Sequence, residues 1–497
     1  MHATYTTLLN SMSSHLKRFR SPYHRAANIL IMRIVIATTL AGAVLTKVAQ
    51  GVAAAPQIVP QPHCAICPIH LLPVVILFIV TASFYLAFRR RTVYLVDYAC
   101  FVASSNFRYP KATLLEHAHI SPLLHDSTIN FISTILERSC MSDQTYVPPI
   151  LSYTEPYCGL DEARVEAELI VFPMIDELFA KTCINIDAVR VLITNCSAYF
   201  PVPSIADMIV NKYKLRGDIH LMNLSGMACT ASVTAVGTAS NMLQVMPWGS
   251  HALVVSTEII GPLYYTGNKR SMQLANILFR MGGAAKLLST SRSKARFRLG
   301  HFTRTNTAAS NIAYKCVYQE EDEKGNIGVA LSKDLMAVAR DALINNITAT
   351  APLVLPPSEL FKFWLFCMAK KVLHWRKIRP HIPNFCAAFD HFCIHVGGPA
   401  VITSVQHGLS LSDKHVEPSR MTLHRFGNQS TSSIWYELAY IEAKGRMKKG
   451  NRVWMIGFGA GYECNTVGWM CIQPSSCEDG PWADYIDRYP VDLSNKV

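Results

Sequence analysis

The chain has 497 residues, of which half are hydrophobic and 16% are charged, and its formal net charge is +13. This length is too great for one ordinary core, and an apolar excess before residue 90 favours a membrane-attached globular protein over a polytopic channel. The positive charge implies nucleic acid, lipid headgroups or a phosphate-bearing small molecule as a partner. The chain has no zinc-finger spacing or RNA-binding signature, which argues against nucleic acid.

Two apolar stretches lie near the N-terminus. Residues 26–55 contain Arg33 and Lys47 and could also form an interfacial or signal-like segment, whereas residues 69–88 are uncharged and long enough to span a bilayer. Basic residues flank the pair on both outer sides, so the positive-inside rule predicts a hairpin with both ends in the cytosol. We therefore predict that residues 1–91 form a cytosolic tail and a two-helix membrane anchor.

Fifteen cysteines are scattered without a regular framework, which is typical of reduced thiols on the cytosolic side of a membrane. His63, Cys64, Cys67 and His70 have the spacing of metal ligands, but they lie in a short loop beside an apolar run. We interpret this segment as a loop at the membrane and predict no metal.

Four Asn-X-Ser/Thr sequons would accept glycan only if the C-terminal body faced the lumen. The charge rule predicts that it faces the cytosol, so no glycan is expected. The four acceptors are Asn195, Asn223, Asn346 and Asn428.

From residue 92 onward, short β-branched runs alternate with longer helical patterns, which is the signature of an α/β fold. Residues 361–379 join an aromatic-rich run to a basic one, and they predict either an interfacial helix or an ordinary surface helix. Strands are predicted at 189–196, 251–257, 284–290 and 452–459.

Three segments of this body carry candidate chemistry. Cys229 lies between a strand-like stretch and a helical pattern that begins near Thr230, where a helix N-terminus would lower the pKa of its thiol, although a lone cysteine is by default a small buried hydrophobe. His395 precedes two glycines that would let backbone approach its ring. Asn428 precedes a hydroxyl-rich run suited to a helix cap, and its amide can donate to an enolate.

On longer segments the sequence resembles the plant 3-ketoacyl-CoA synthases, which belong to the thiolase superfamily and are related to chalcone synthase. The resemblance covers essentially the whole chain. It is carried by VYLVDYACF at 93–101, RSCMSDQTYVPP at 138–149, NCSAYFPVPSIADMIVNKYKLRGDI at 195–219, VVSTEIIGPLYYTGNKRSM at 254–272, LFRMGGAA at 278–285, KCVYQEED at 315–322 and SRMTLHRFGN at 419–428.

This resemblance implies a duplicated thiolase-like fold, layered α/β/α/β/α, in residues 92–497, with a first half at about 92–300 and a second at about 301–497. It implies a catalytic set of Cys229, His395 and Asn428. Three further histidines match family positions and are assigned as supporting residues, with a plain core role as the alternative. They are His301, His391 and His424.

The glycine-rich run at 457–461 follows a strand without the rest of a dinucleotide fingerprint, so nucleotide binding is not predicted. It resembles the loop that closes against the active-site cysteine in the family. The glycines concerned are Gly457, Gly459 and Gly461.

The function implied is condensation of a long acyl-CoA with malonyl-CoA to a 3-oxoacyl-CoA two carbons longer, with release of CO2 and CoA, in very-long-chain fatty acid elongation. A Cys229 thiolate paired with His395 imidazolium would carry the acyl group, without a cofactor. The implied setting is the endoplasmic reticulum membrane, as a homodimer working with a ketoacyl reductase, a hydroxyacyl dehydratase and an enoyl reductase. The alternatives are an inactive scaffold paralogue and a polyketide-type condensing enzyme.

The chain departs from the family pattern around the nucleophile. Ala228 and Ser232 stand where the family usually has glycine, and Pro399 stands where elongases commonly have arginine. If position 228 requires a positive φ, alanine adds strain there. We expect glycine at 228 and 232 to raise activity or leave it unchanged.

Overall fold

A computed structural model describes residues 91–493, apart from 155, 373–382 and 476–479, together with 77, 80 and 81. Residues Thr92–Val497 form one compact unit. The two predicted anchor segments and the His63–His70 cluster lie almost entirely outside the described residues. Within those residues, no helix has both the length and the apolar character that a bilayer crossing requires.

Strands occur along the whole of this unit. β7 and β8 pair only with each other as a small hairpin, and the other strands join one mixed sheet. The strands are β1 (Tyr94–Cys100), β2 (Val189–Asn195), β3 (His220–Leu224), β4 (His251–Thr257), β5 (Gly283–Ser289), β6 (Phe297–Asn306), β7 (Val317–Glu321), β8 (Ile327–Leu331), β9 (His391–Ile394), β10 (Arg452–Gly459) and β11 (Glu463–Cys471).

Helices separate most of these strands. The described α-helices are α1 (Lys111–Ile120), α2 (Asp126–Arg138), α3 (Leu160–Thr182), α4 (Ile205–Tyr213), α5 (Ala231–Val245), α6 (Arg270–Leu278), α7 (Asn311–Tyr314), α8 (Leu335–Val354), α9 (Pro357–Val372), α10 (Pro399–Leu409), α11 (Asp413–Phe426) and α12 (Ser433–Ala443).

The strand order reveals an internal duplication. The order is β3-β2-β4-β5-β1-β6-β11-β10-β9, and β1 meets β6 at only two residue pairs. Outward from that junction, each half has two antiparallel pairings followed by a parallel one. β3 has no counterpart in the described second half, where α11 follows α10 directly. The boundary between the halves was predicted at about residue 300, which lies inside β6.

The contacts of the helices give the layers. α5 contacts β2 and β4 of the first half and β10 and β11 of the second, while α12 contacts β1, β9 and β10. By contrast, α3 contacts β1, β4 and β5 of the first half, and α8 contacts β6 and β11 of the second half. α5 and α12 therefore form a middle layer between the two half-sheets. α5 carries no charged residue, as a helix buried on all sides requires.

The sequence-predicted strands at 189–196, 251–257, 284–290 and 452–459 are confirmed as β2, β4, β5 and β10 to within one residue at either end. The helix predicted over 361–379 is present as α9 from Pro357, and residues 373–382 lie outside the described part. Whether α9 lies on a membrane stays a prediction.

A buried ionic cluster joins the two halves where β1 and β6 meet. Arg296, just before β6, forms ion pairs with Asp97 of β1 and Glu442 of α12. The hydroxyl of Tyr98 donates to Glu442 Oε2 at 2.5 Å. The side chains of Arg296 and Glu442 are only 13% and 7% exposed, so removal of the guanidinium would break two largely buried ion pairs at once.

We expect Arg296→Met to destabilise the protein by on the order of 3 kcal/mol, because breaking a buried ion pair from one side leaves uncompensated charge. The measurement is the midpoint of thermal unfolding, followed by tryptophan fluorescence of the detergent-purified full chain. Arg298→Met is the matched control, since Arg298 lies on the same segment and is exposed. Equal midpoints for the two variants would show that the ionic cluster does not stabilise the junction.

Candidate active site

Cys229 lies where the first half of the duplication turns from strand to helix. β3 ends at Leu224, a 3-10 turn covers Ala228–Thr230, and α5 begins at Ala231. The predicted position of the thiol at the start of a helix is confirmed. The N–H of Ala228 donates to Ser197 Oγ at 2.8 Å, which ties this turn to the end of β2.

Ala228 has φ +50°, a left-handed conformation that glycine adopts most easily. The sequence-based concern about this position is therefore confirmed. A left-handed residue other than glycine costs roughly 1–2 kcal/mol, which the surrounding contacts must offset. The strain lies directly beside the candidate nucleophile.

His395 and Asn428 reach the same place from the second half. His395 follows β9 and is buried, and a Cβ atom on Gly397 would lie 3.1 Å from its Nε2, so the backbone approaches the imidazole closely, as the glycine pair predicted. Asn428 follows α11, and its Oδ1 accepts a hydrogen bond from the N–H of Ser430 at 2.8 Å. That bond orients the side-chain amide, so that its nitrogen, Nδ2, is the group left to donate a hydrogen bond.

Cys229, His395 and Asn428 line one cavity of about 620 Å³. Away from these residues, α6, the β7–β8 hairpin and the start of α8 contribute its apolar lining. The apolar side chains include Leu274, Leu278, Val317, Val329, Leu331, Leu335 and Met336. The cavity therefore joins a polar centre to an apolar region.

The glycine-rich loop packs against the turn that carries Cys229. A Cβ atom on Gly459 would overlap the Met227 carbonyl oxygen and lie 2.6 Å from Thr230 Oγ1. The N–H of Ala460 donates to that same carbonyl at 3.2 Å. Gly459 and Gly461 line the cavity, while Gly457 lies over Thr230. The resemblance predicted this closure, and the structure places the loop accordingly.

Two polar residues that the sequence patterns did not single out also belong to this centre. The hydroxyl of Ser430 lies 3.3 Å from Cys229 Sγ and 3.2 Å from Glu258 Oε2. The other carboxyl oxygen of Glu258 accepts the N–H groups of Ser197 and Ala198 at 2.8 and 2.6 Å. A glutamate directly after the apolar strand β4 was the available signal, since such a residue is buried only with partners.

The electrostatics differ from the sequence-based expectation of a thiolate. Burial raises the pKa of the Cys229 thiol to about 12, against a smaller lowering by the hydrogen bond with Ser430. Burial lowers the pKa of His395 to about 4, and its Nδ1 has no partner in the described part of the chain. Desolvation is the largest cause of both shifts, and it favours the neutral form of each group.

The three supporting histidines do not line the cavity. His391 Nε2 lies 3.3 Å from Asn451 Oδ1, and His424 Nδ1 lies 3.1 Å from the Tyr489 hydroxyl. His301 is an exposed residue of β6. Any effect of these histidines on the chemistry must be indirect. Pro399 is the first residue of α10, a position where proline is well tolerated.

No group of histidine, cysteine, aspartate and glutamate side chains suitable for a metal occurs among the described residues. The cysteines seen in the structure are all free thiols.

Comparison with known proteins shows which families this chain is similar to. Residues 85–372 match the family described as FAE1/Type III polyketide synthase-like protein, and residues 387–470 match the 3-oxoacyl-[acyl-carrier-protein] synthase III C-terminal family. The chain is 48% identical over 420 residues to 3-ketoacyl-CoA synthase 6 of Arabidopsis thaliana, covering 84% of each chain. It is 50% identical over 416 residues to 3-ketoacyl-CoA synthase 4 of that plant, covering 82% of this chain and 80% of the relative.

Solved structures share the fold at low identity. The 1,3,6,8-tetrahydroxynaphthalene synthase of Streptomyces coelicolor A3(2), a bacterial type III polyketide synthase, has a TM-score of 0.59 at 17% identity, over 77% of this chain and all of that one. PKS-I of the brown alga Ectocarpus siliculosus has a TM-score of 0.56 at 18% identity, with the same coverage of both chains. The fold is therefore thiolase-like α/β. From these similarities and the cavity that holds Cys229, the chain belongs to the 3-ketoacyl-CoA synthase family of condensing enzymes.

Proposed function

We propose that this chain condenses a long-chain acyl-CoA with malonyl-CoA to give a 3-oxoacyl-CoA two carbons longer, CO2 and CoA. The observation that carries the proposal is the meeting of Cys229, His395 and Asn428 in one cavity that continues into an apolar region. Membership of the 3-ketoacyl-CoA synthase family supports the same reaction. No cofactor takes part in it.

In the first half-reaction, the sulfur of Cys229 attacks the thioester carbon and CoA leaves as its thiol. Because Cys229 is neutral in the free protein, its proton must move as the new bond forms. His395 is the proposed acceptor, and the leaving sulfur takes the proton afterwards. Ser430, 3.3 Å from the sulfur, helps to hold the thiol in place.

In the second half-reaction, malonyl-CoA loses CO2 and negative charge develops on its thioester oxygen. Asn428 Nδ2 and the imidazole of His395 donate hydrogen bonds to that oxygen, which stabilises the enolate. Its carbon then attacks the acyl carbonyl, and the bond from that carbonyl to Cys229 breaks. The thiolate is released and takes up a proton.

The shape and charge of the cavity support these substrates. Its apolar side, between α6 and α8, suits an acyl chain. The exposed Lys333 also lines it, and its ammonium can attract a CoA phosphate.

We place this activity on the cytosolic face of the endoplasmic reticulum membrane, with the two apolar N-terminal segments as the anchor. The basic residues that flank the two segments support that orientation through the positive-inside rule. The proposed partners are a second copy of the chain and the ketoacyl reductase, hydroxyacyl dehydratase and enoyl reductase that complete an elongation cycle.

The function is tested with microsomes that express the chain, given labelled malonyl-CoA and a panel of acyl-CoAs. Asn428→Ala should still be acylated on Cys229 by labelled acyl-CoA, because that step does not need the amide. Its product formation should fall on the order of 100- to 1000-fold, since one donor to the enolate is lost.

Cys229→Ala should neither be acylated nor elongate any substrate, whereas Cys183→Ala, at an exposed thiol, should behave as the parent. Elongation at the parental rate by Cys229→Ala would refute the assignment. A folded parent chain that elongates no acyl-CoA would instead support the scaffold alternative.

The neutral state of Cys229 predicts how its alkylation by iodoacetamide depends on pH. Because burial raises the pKa of the thiol to about 12 and lowers that of His395 to about 4, the thiolate fraction should rise steadily from about pH 6 to about pH 9. Mass spectrometry of the Cys229 peptide measures the rate, with free glutathione as the reference thiol. A constant rate from pH 6 upward would reveal a preformed imidazolium–thiolate pair.

The proposed orientation predicts that the native chain carries no glycan. Asn223 is the informative sequon, since it is the exposed acceptor of the four. Endoglycosidase treatment of the expressed chain should leave its electrophoretic mobility unchanged, in a system where a lumenal control glycoprotein shifts. A shift that Asn223→Gln abolishes would place the body in the lumen.

A further inference from the structure

A lysine is buried in the first half-sheet without a carboxylate partner among the described residues. Lys286, on β5, is fully buried and donates to Ser232 Oγ at 3.2 Å, to the carbonyl of Ala284 at 3.0 Å and to Ser256 Oγ. Its Nζ also lies 5.4 Å from the centre of the Trp435 ring. Burial lowers its pKa well below the ordinary value. A buried amine is costly unless its neighbours satisfy it.

Ser232 provides one of the hydrogen-bond acceptors for the Lys286 amine. Its hydroxyl oxygen accepts from Lys286 and, at 2.8 Å, from the indole N–H of Trp435 on α12. These are contacts that a glycine at this position would lack. These contacts argue against the expectation that Ser232→Gly raises activity or leaves it unchanged, because the change removes an acceptor from two buried donors.

The contacts of Lys286 continue into a closed ring of hydrogen bonds. Ser256 Oγ donates to Asn195 Oδ1 at 2.6 Å, and Asn195 Nδ2 donates to Thr431 Oγ1 at 3.2 Å. The backbone N–H of Ser232 donates to that same Thr431 oxygen at 2.6 Å. Every member is buried, and the ring joins strands of the first half to the turn before α12.

The ring includes residues next to both partners of the contact between the Cys229 sulfur and the Ser430 hydroxyl. Ser232 is the second residue of α5, directly after the turn that carries Cys229. Thr431 directly follows Ser430, whose hydroxyl lies 3.3 Å from the Cys229 sulfur. A shift of either end would change the distance between those two atoms. Displacements of this size can cost a large part of a reaction rate.

We propose that Ser232 and Lys286 are a coupled pair of positioning residues, which hold the start of α5 against the Ser430 turn and so fix Cys229 for attack. Neither residue lines the cavity. The proposal rests on the function proposed above, in which Cys229 accepts the acyl group.

The experiment compares Ser232→Ala, Lys286→Met and the double variant of the full chain in detergent. Ser232→Ala should lower the maximal rate of Cys229 acylation at least about tenfold, with little change in the KM for acyl-CoA, since the apolar lining is untouched. In the Lys286→Met background, the same change should lower the rate several-fold less, because only the indole N–H of Trp435 then loses its acceptor.

Ser240→Ala is the matched control, since this serine is buried on the same helix and takes no part in the ring; it should match the parent. Equal losses from Ser232→Ala in both backgrounds, or a lower unfolding midpoint with an unchanged rate, would overturn the proposal. If Ser232→Ala does not fold, the double variant must still fold and react within a few-fold of Lys286→Met, which keeps the acceptor of Trp435.

The rate of Cys229 alkylation by iodoacetamide is measured on the same variants. Ser232→Ala should lower this alkylation rate in the parent background and lower it much less in the Lys286→Met background. Because this readout needs no acyl-CoA, it separates the two proposals: a parent chain that is alkylated normally but never acylated contradicts the proposed function alone.

Discussion

The position of the nucleophile depends on the contact between two turns in the middle layer of the fold. One turn, Ala228–Thr230, begins α5, and the other, Ser430–Ser432, begins α12. Each turn starts with a residue other than glycine at positive φ, Ala228 and Ser430. Duplication brings these equivalent turns together, so that one presents a thiol and the other a hydroxyl 3.3 Å away. The second turn also holds the side chain of Asn428. It therefore positions both the Nδ2 donor of Asn428 and the Ser430 hydroxyl that contacts the thiol.

Burial between two sheets decides the chemistry of this contact. A helix N-terminus favours a thiolate, whereas burial favours the neutral thiol, and burial is the largest influence on the pKa of Cys229. The neutral state of His395 has the same cause. An uncharged pair is compatible with a cavity that must also admit a long acyl chain. Charge then develops only during the reaction, where preformed donors stabilise it.

The strands and the position of Cys229 could be predicted from sequence because they depend on local pattern: an apolar run, a turn and a helix. His395 and Asn428 had weaker local signals, a following glycine pair and a following hydroxyl-rich run, and their catalytic roles came from the resemblance. Ser430 and Glu258 were missed because their roles depend on contacts between distant segments. Lys286 was missed for a related reason: within a strand, a lysine is normally on the solvent face, and only the layer order shows that this face is covered.

The two departures from the family pattern have different physical meanings. Ala228 keeps a conformation that favours glycine and gains no hydrogen bond through its methyl group, so it is a strain that the fold tolerates. Ser232 brings an oxygen to Lys286 and Trp435, and its cost as a larger side chain is offset by those contacts. A buried amine without an acceptor destabilises any fold, so the pairing is a requirement of the structure itself. Because the pair lies beside the turn that carries Cys229, the contacts that stabilise the fold also support the start of α5 next to the nucleophile.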